Sequence, residues 1–389
     1  MASKFNLLEM DYTKSMKCVF FINTINRGGS EQYVYSLAKQ LKEKKSAEIV
    51  IISSNGVMAE FLRECGYKVV LIPFVGINAD RVSDLPIKHR LFYRNWFWLK
   101  FFYRAYLGQY VKGADFFISQ QGYPTIVASA LLRAVPHINI VHHILPNEYT
   151  SIYNELNINP NKFVAVSEEV RDFLASKGVY NSEVIQNPID IPNLAQDEIS
   201  ESKKHNIVLL SHLHEEKRST IESFLGFVEK ADIEEYSFTV IGDISSAYAS
   251  EIYTRYNHIV RFTGSLARDE LLIELNHADC VIAVGRSALE ALLLKKKVIM
   301  AGHIIGKNGG NFGGLLTSEN ITEAAYYNYS GRHAKDITSK DKIASCIQES
   351  QIISPNEIEI IVRELESRHL PNIVMNKFLS VVDDVRKEI

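Results

Sequence analysis

The sequence predicts an α/β protein of two domains, each built on a parallel sheet covered by helices on both faces. Three observations carry this. Short apolar runs suited to buried strands alternate along the chain with segments of helical spacing. The order strand, glycine turn, helix, strand occurs near the start and again between Cys280 and Ala301. At 389 residues the chain is long enough for two domains.

The first strand is KCVFFINT, Lys17 to Thr24. It runs through Asn26-Arg27-Gly28-Gly29-Ser30 into a helix with apolar positions at Val34, Leu37, Ala38 and Leu41, which lie on one helical face. Paired glycines between a strand and a helix let the backbone approach a ligand closely; the competing reading is a plain tight turn. Glu48 to Ser53, Lys68 to Phe74, Asp115 to Ser119 and Asn139 to Leu145 are further strands, and Val57 to Glu64 is the second helix. A histidine at the end of the last of these strands faces the crevice where such sheets bind ligands. His142 and His143 are adjacent and point opposite ways, so one of them is structural. Ser167 caps the helix that carries Glu168 and Glu169 in its first turn.

Asp197 to Asn206 is polar and reads as a linker. Ile207 to Leu213 and Ser237 to Gly242 are the strands that follow. The stretch around which the chain is organised is AVGRSALEALLLKKKVIMAG, Ala283 to Gly302. Its strand, Cys280 to Val284, stops at Gly285. The turn Arg286-Ser287-Ala288 then opens a helix with Glu290 in its first turn. A helix start offers unpaired N–H groups and partial positive charge, which suits a phosphate. A carboxylate one turn further in can accept hydrogen bonds from two sugar hydroxyls. The competing reading is a βαβ unit with a surface glutamate. Lys295 to Lys297 complement the far end of the helix dipole. HIIGKNGGNFGG, His303 to Gly314, reads as a flexible glycine-rich loop that could fold over a ligand and offer Asn308 or Asn311; a plain surface loop is the alternative.

Between the third and fourth strands lies His89 to Lys112, HRLFYRNWFWLKFFYRAYLGQYVK. It is dense in rings, interleaved with Arg90, Arg94, Lys100, Arg104 and Lys112, and has no acidic residue. Such a helix suits a membrane interface, giving peripheral contact; alternatively its rings pack on the sheet. Elsewhere the charge excludes more than it suggests. A net charge of −3 gives no case for nucleic acid. Cys18, Cys65, Cys280 and Cys346 form no C-x-x-C pair, and Cys18 and Cys280 sit in apolar runs as buried thiols. That fits a reducing cytoplasm. The N-terminus carries no secretion signal, and no run is apolar enough to span a bilayer.

These segments resemble, in order, the retaining sugar-nucleotide glycosyltransferases of the GT-B fold, especially their family 4. GGSEQYVYSLAKQL is similar to that family's G-G-A-E-R-x-x-x-x-L-A-x-x-L opening, FVAVSEEVRDFL to its V-A-V-S segment, and VRFTG to its V-x-F-x-G. Glu290, Ala291, Lys296 and Val298 fall on its E-A-x-x-x-G-K-P-V segment. There are departures. Ser211-His212 stand where the family has Gly-Arg, although Lys217 matches its lysine, and Pro188 replaces a glycine in NPID. Ile282-Ala283-Val284-Gly285 stand for E-G-F-G, so the first family glutamate is absent.

The resemblance implies two Rossmann-like domains facing across a cleft: residues 1–196 for the acceptor, residues 197–373 for the nucleotide sugar, and a helix over 374–389 crossing back. It implies a transferase using a UDP- or GDP-type sugar donor and a glycan, lipid-linked or cell-surface polysaccharide acceptor, in the cytoplasm or at the inner face of the membrane. Gly28 and Gly29 would face the donor diphosphate and acceptor, and His143, with His142 as the alternative, would stand near the reacting sugar. Lys217 would grip the diphosphate with Arg286, Ser287 and Ala288, and Glu290 would hold the ribose. The arginine's place is open to His212, Arg218 or Arg286. No D-x-D pair is placed to hold a divalent ion, so neither metal nor cofactor is expected. A sugar-nucleotide epimerase and a catalytically silent partner subunit are the alternatives.

Overall fold

The computed structural model describes residues 16–26, 28–54, 56–72, 85–131, 135–144, 153–154, 156–190, 204–303, 310–334 and 336–388, with backbone alone for 85–95 and 303. The domain boundary expected at 196/197, and Asn308, lie outside them. The chain forms two compact units. The first comprises residues 1–166, 170–185 and 375–389, and the second residues 167–169 and 186–374.

The first unit holds seven strands: β1 (Lys17–Phe21), β2 (Glu48–Ser53), β3 (Lys68–Leu71), β4 (Phe116–Gln120), β5 (His137–Val141), β6 (Lys162–Ala165) and β7 (Ser182–Val184). Their order is β3-β2-β1-β4-β5-β6-β7, with every pairing parallel. The unbroken apolar runs of β1 and β2, and the full burial of β4, follow from this, because helices cover both faces of the sheet. Strand order reverses between β1 and β4, so ligand-binding loops are expected beyond their C-terminal ends. Cys18 in β1 is buried. Near the C-terminus, Phe378 packs its ring on Phe116, with centroids 6.4 Å apart.

Inside this sheet is a polar knot. Ser119 Oγ lies 2.8 Å from His137 Nε2 and 3.0 Å from Thr125 Oγ1, which donates to Asn139 Oδ1. Burial pulls the His137 imidazole down to about 3. This histidine is therefore neutral when folded, whereas the unfolded chain takes a proton near pH 6.5. Between those values the unfolded state binds more protons, so stability falls as pH falls, by about 1.4 kcal/mol per pH unit from this group. Urea denaturation at pH 7 and pH 5 should show the loss, and His137→Gln should show a flatter dependence. An unchanged slope in the variant would remove His137 as the cause.

The second unit holds β8 (His205–Leu210), β9 (Tyr236–Ile241), β10 (Arg261–Gly264), β11 (Cys280–Ala283), β12 (Lys297–His303), β13 (Gly310–Leu315) and β14 (Asp336–Ile337), in the order β10-β9-β8-β11-β12-β13-β14. β8 to β12 are parallel, and β13 and β14 add antiparallel edges. Apolar side chains cover both sheet faces: Phe224, Phe238 and Ile343 on one, Leu289, Val298 and Ile361 on the other. Strand order reverses between β8 and β11.

The glycine-rich segment differs from expectation. Gly310–Leu315 is strand β13, and Asn311 is buried in it rather than carried on a surface loop. The glycines serve close packing: a Cβ on Gly310 would lie 2.5 Å from the Gly302 carbonyl oxygen, and one on Gly313 2.7 Å from the His333 ring.

Candidate functional site

In the second unit, two segments leave the sheet side by side at its switch point. β8 and β11 pair directly, Val208 against Val281 and Leu209 against Ile282. Beyond β8 come Ser211–His214, a 3-10 turn over Glu215–Lys217 and the helix Arg218–Val228. Beyond β11 come Val284, Gly285 and the helix Arg286–Leu293. Gly285 has φ 59°, in the left-handed region that favours glycine, and its N–H donates to the Tyr329 carbonyl at 2.7 Å. The first intrahelical bond is Leu289 N–H to the Gly285 carbonyl. The N–H groups of Arg286, Ser287 and Ala288 therefore stand at an open helix start. The Ala288 side chain is buried in the core, so its contribution there is backbone.

Glu290 is not a surface glutamate, since only 4% of it is exposed. Its Oε1 accepts from Arg268 at 2.7 Å and from Arg286 Nε at 3.0 Å. Arg286 also donates to the Pro188 carbonyl at 3.0 Å, and Arg268 to the Asp190 carbonyl. Two guanidiniums thus hold one carboxylate and staple the NPID segment to this site. Burial pulls the Arg286 guanidinium below the usual arginine range, and Glu290 opposes that. Oε2 takes no hydrogen bond among the described residues, so it remains able to accept from a ligand hydroxyl.

The candidates for the missing family arginine separate. Arg286 is committed to Glu290 and Pro188. Arg218 pairs with Glu215 and Glu222 and lies over the Tyr248 ring at 4.6 Å. His212 stacks on His214 at 6.1 Å and is close enough to Lys217 to feel its charge. Burial, then His214 and Lys217, pull His212 below the ordinary histidine value. The Lys217 ammonium is half-buried and lowered by desolvation. Gly242, beyond β9, closes under this loop: a Cβ there would lie 2.0 Å from the Ser211 carbonyl oxygen.

The first unit gathers a second set at the ends of β1, β4 and β5. Gly28 caps the helix Gly29–Lys45 in an extended conformation. The Glu31 carboxylate folds over it, so a Cβ on Gly28 would lie 2.4 Å from Glu31 Oε2. Thr24 and Ser30 both donate to that carboxylate. Gln120 donates to the Ser30 carbonyl at 2.9 Å, tying β4 to this glycine turn. At the end of β5 the adjacent histidines part. His142 is half-buried, lies edge-on to Tyr33 at 5.3 Å and is pulled down to about 3, first by desolvation and then by His143. His143 is exposed, and the Gln121 amide rests against its ring, 2.5 Å from Nδ1. His143→Ala is expected to lower turnover with little change in melting temperature. His142→Ala is expected to cost about 1–3 kcal/mol of stability, because it unpacks Tyr33. The reverse pattern would exchange their roles.

Sequence reasoning missed Arg268. It lies 22 residues before Glu290, and no local motif marks it as a partner; only the fold brings the helix Arg268–Asn276 beside the helix Arg286–Leu293. It also missed Glu31, whose carboxylate gathers Thr24 and Ser30 beside Gly28. Among the described residues no cluster of His, Cys, Asp or Glu is arranged to hold a metal ion.

Residues 27–192 match the model of Glycosyltransferase Family 4. A search of curated proteins gives no significant match. Solved structures align over nearly the whole chain. A glycosyltransferase from Rickettsia africae is 16% identical with a TM-score of 0.68, covering 97% of this chain and 100% of its own. Sucrose-phosphate synthase from Thermosynechococcus elongatus is 12% identical, also at 0.68, with coverage of 97% and 100%. The lipopolysaccharide outer core galactosyltransferase WaaB is 13% identical at 0.59, covering 95% and 99%. At such identities these likenesses speak to the fold. The chain has the GT-B fold of these glycosyltransferases, and its residues 27–192 carry the Glycosyltransferase Family 4 pattern.

Proposed function

We propose that the protein is a retaining, metal-independent glycosyltransferase that moves a hexosyl group from a UDP- or GDP-type sugar to a glycan, lipid-linked or cell-surface polysaccharide acceptor. The observation that carries this reading is Glu290. A buried carboxylate held by two arginines, with one oxygen left to accept, sits one turn into a helix that starts at the sheet's switch point. That arrangement suits a ribose beside a diphosphate. The diphosphate would meet the N–H groups of Arg286, Ser287 and Ala288 and the ammonium of Lys217. Negative charge grows on it as the glycosidic bond breaks, so fixed positive groups there stabilise the transition state more than the bound donor. No cofactor is needed for this chemistry.

The acceptor is assigned to the first unit, at Gly28, Gly29 and His143. WaaB, whose name places it in lipopolysaccharide outer core synthesis, supports a lipid-linked glycan as the acceptor class. Such an acceptor would put the work at the cytoplasmic face of a membrane. Saturation-transfer NMR against a panel of nucleotide sugars tests the donor assignment, with signal expected from ribose and base protons of one donor. Nucleotide release only with acceptor supports transfer. Rearrangement of free sugar nucleotide would mean an epimerase, and neither activity would mean a silent subunit.

A further inference from the structure

We infer that the outward face of the long helix Leu85–Val111 is a docking surface for an anionic lipid bilayer. The helix has two finished faces. Tyr103 and Leu107 are buried against the sheet, with Trp96, Leu99 and Tyr110 packed beside them. That face already satisfies the sheet, so packing accounts for three of the eight rings between Trp96 and Tyr110. The other face carries Phe97, Trp98, Phe101, Phe102 and Tyr106, each between 41% and 71% exposed. Phe97 meets Trp98 and Phe101, and Phe102 stacks on Tyr106 at 5.8 Å, while Phe102 and Tyr106 reach the packed face through one ring contact each, on Tyr103 and Tyr110. Five exposed rings on one helix face exceed what scattered surface apolar residues require.

Charge selects the occupant. Lys100 and Arg104 border the ring face, Arg104 with its Nε anchored on the Ala130 carbonyl at 2.8 Å. Lys112 and Lys68 are exposed at the C-terminal end, Lys68 over the Tyr110 ring. No acidic residue occurs from Leu85 to Lys112, in a chain of net charge −3. A second copy would bring the same positive segment and be repelled, whereas anionic headgroups are complementary. Mixed rings and cations suit headgroup depth. No helix among the described residues is long and apolar enough to cross a membrane, so the contact lies along the surface.

The test uses a property of the sequence: the only two tryptophans, Trp96 and Trp98, both lie in this helix. Full-length protein is mixed with vesicles of phosphatidylcholine, or of phosphatidylcholine with equal phosphatidylglycerol, and tryptophan emission and co-sedimentation are recorded. No nucleotide sugar is present, so the result stands apart from the transfer reading. With the anionic vesicles at low salt, emission should shift to the blue and protein should sediment, and raising salt should weaken both. Trp96→Phe should keep the shift, because Trp98 reports it. Phe97→Ser with Phe101→Ser and Phe102→Ser should weaken binding about tenfold or more, with an unchanged melt. Absence of shift and sedimentation with wild type would overturn the inference, as would equal binding by the triple variant. So would a blue shift that grows with protein concentration without lipid, which would make this face an interface between copies.

Discussion

Glu290→Ala is expected to remove donor affinity and about 3 kcal/mol of stability together. The stability loss follows from the clamp: deleting the carboxylate leaves Arg286, whose side chain is 12% exposed, without its counter-charge. Arg268 is 35% exposed, so water takes up part of its loss and the effect stays at the lower end of the range for broken buried pairs. The affinity loss follows from Oε2, at about 1.5–3 kcal/mol for each charge-assisted hydrogen bond to the ligand. Glu290→Gln separates the two. It keeps the volume and an acceptor oxygen, so it should fold better than the alanine variant while still binding donor more weakly. Calorimetric titration beside urea denaturation reads both. Full donor affinity in a folded Glu290→Gln or Glu290→Ala protein would take Glu290 out of the ribose site.

Lys217→Ala is expected to lower turnover by roughly 10²–10³ while changing donor affinity less: in the proposed reaction its charge would meet a leaving group that becomes more negative in the transition state. The structure adds a second readout. Lys217 is one of the charges that depress His212, so its removal should raise the His212 titration point in NMR. A raised His212 with wild-type turnover would show that the loop is built as described but that another cation serves the diphosphate.

Much of the fold was legible because buried parallel strands leave a simple mark. CVFF in β1 and IVII in β2 are apolar without alternation, and each is followed by a glycine or a helical period. β13 left no such mark, because NFGG reads as loop until the carbonyl of Gly302 and the ring of His333 are seen to exclude any Cβ. The site was half legible. Arg286 and Glu290 are four residues apart on one helix, so their pairing is local; Arg268 and the Pro188 and Asp190 carbonyls reach them only through tertiary structure. The ring-rich helix showed its composition in the sequence, but which rings face the sheet depends on the helix's rotation about its axis, set by Tyr103 and Leu107.

The most direct test of the proposed function is nucleoside diphosphate release from the donor found by NMR, measured with and without a glycan acceptor and with a chelator present. Release that depends on the acceptor, persists in chelator and falls in Lys217→Ala and Glu290→Gln is the expected result. Release that requires an added divalent ion, or a donor that binds but is never cleaved with any acceptor, would contradict it.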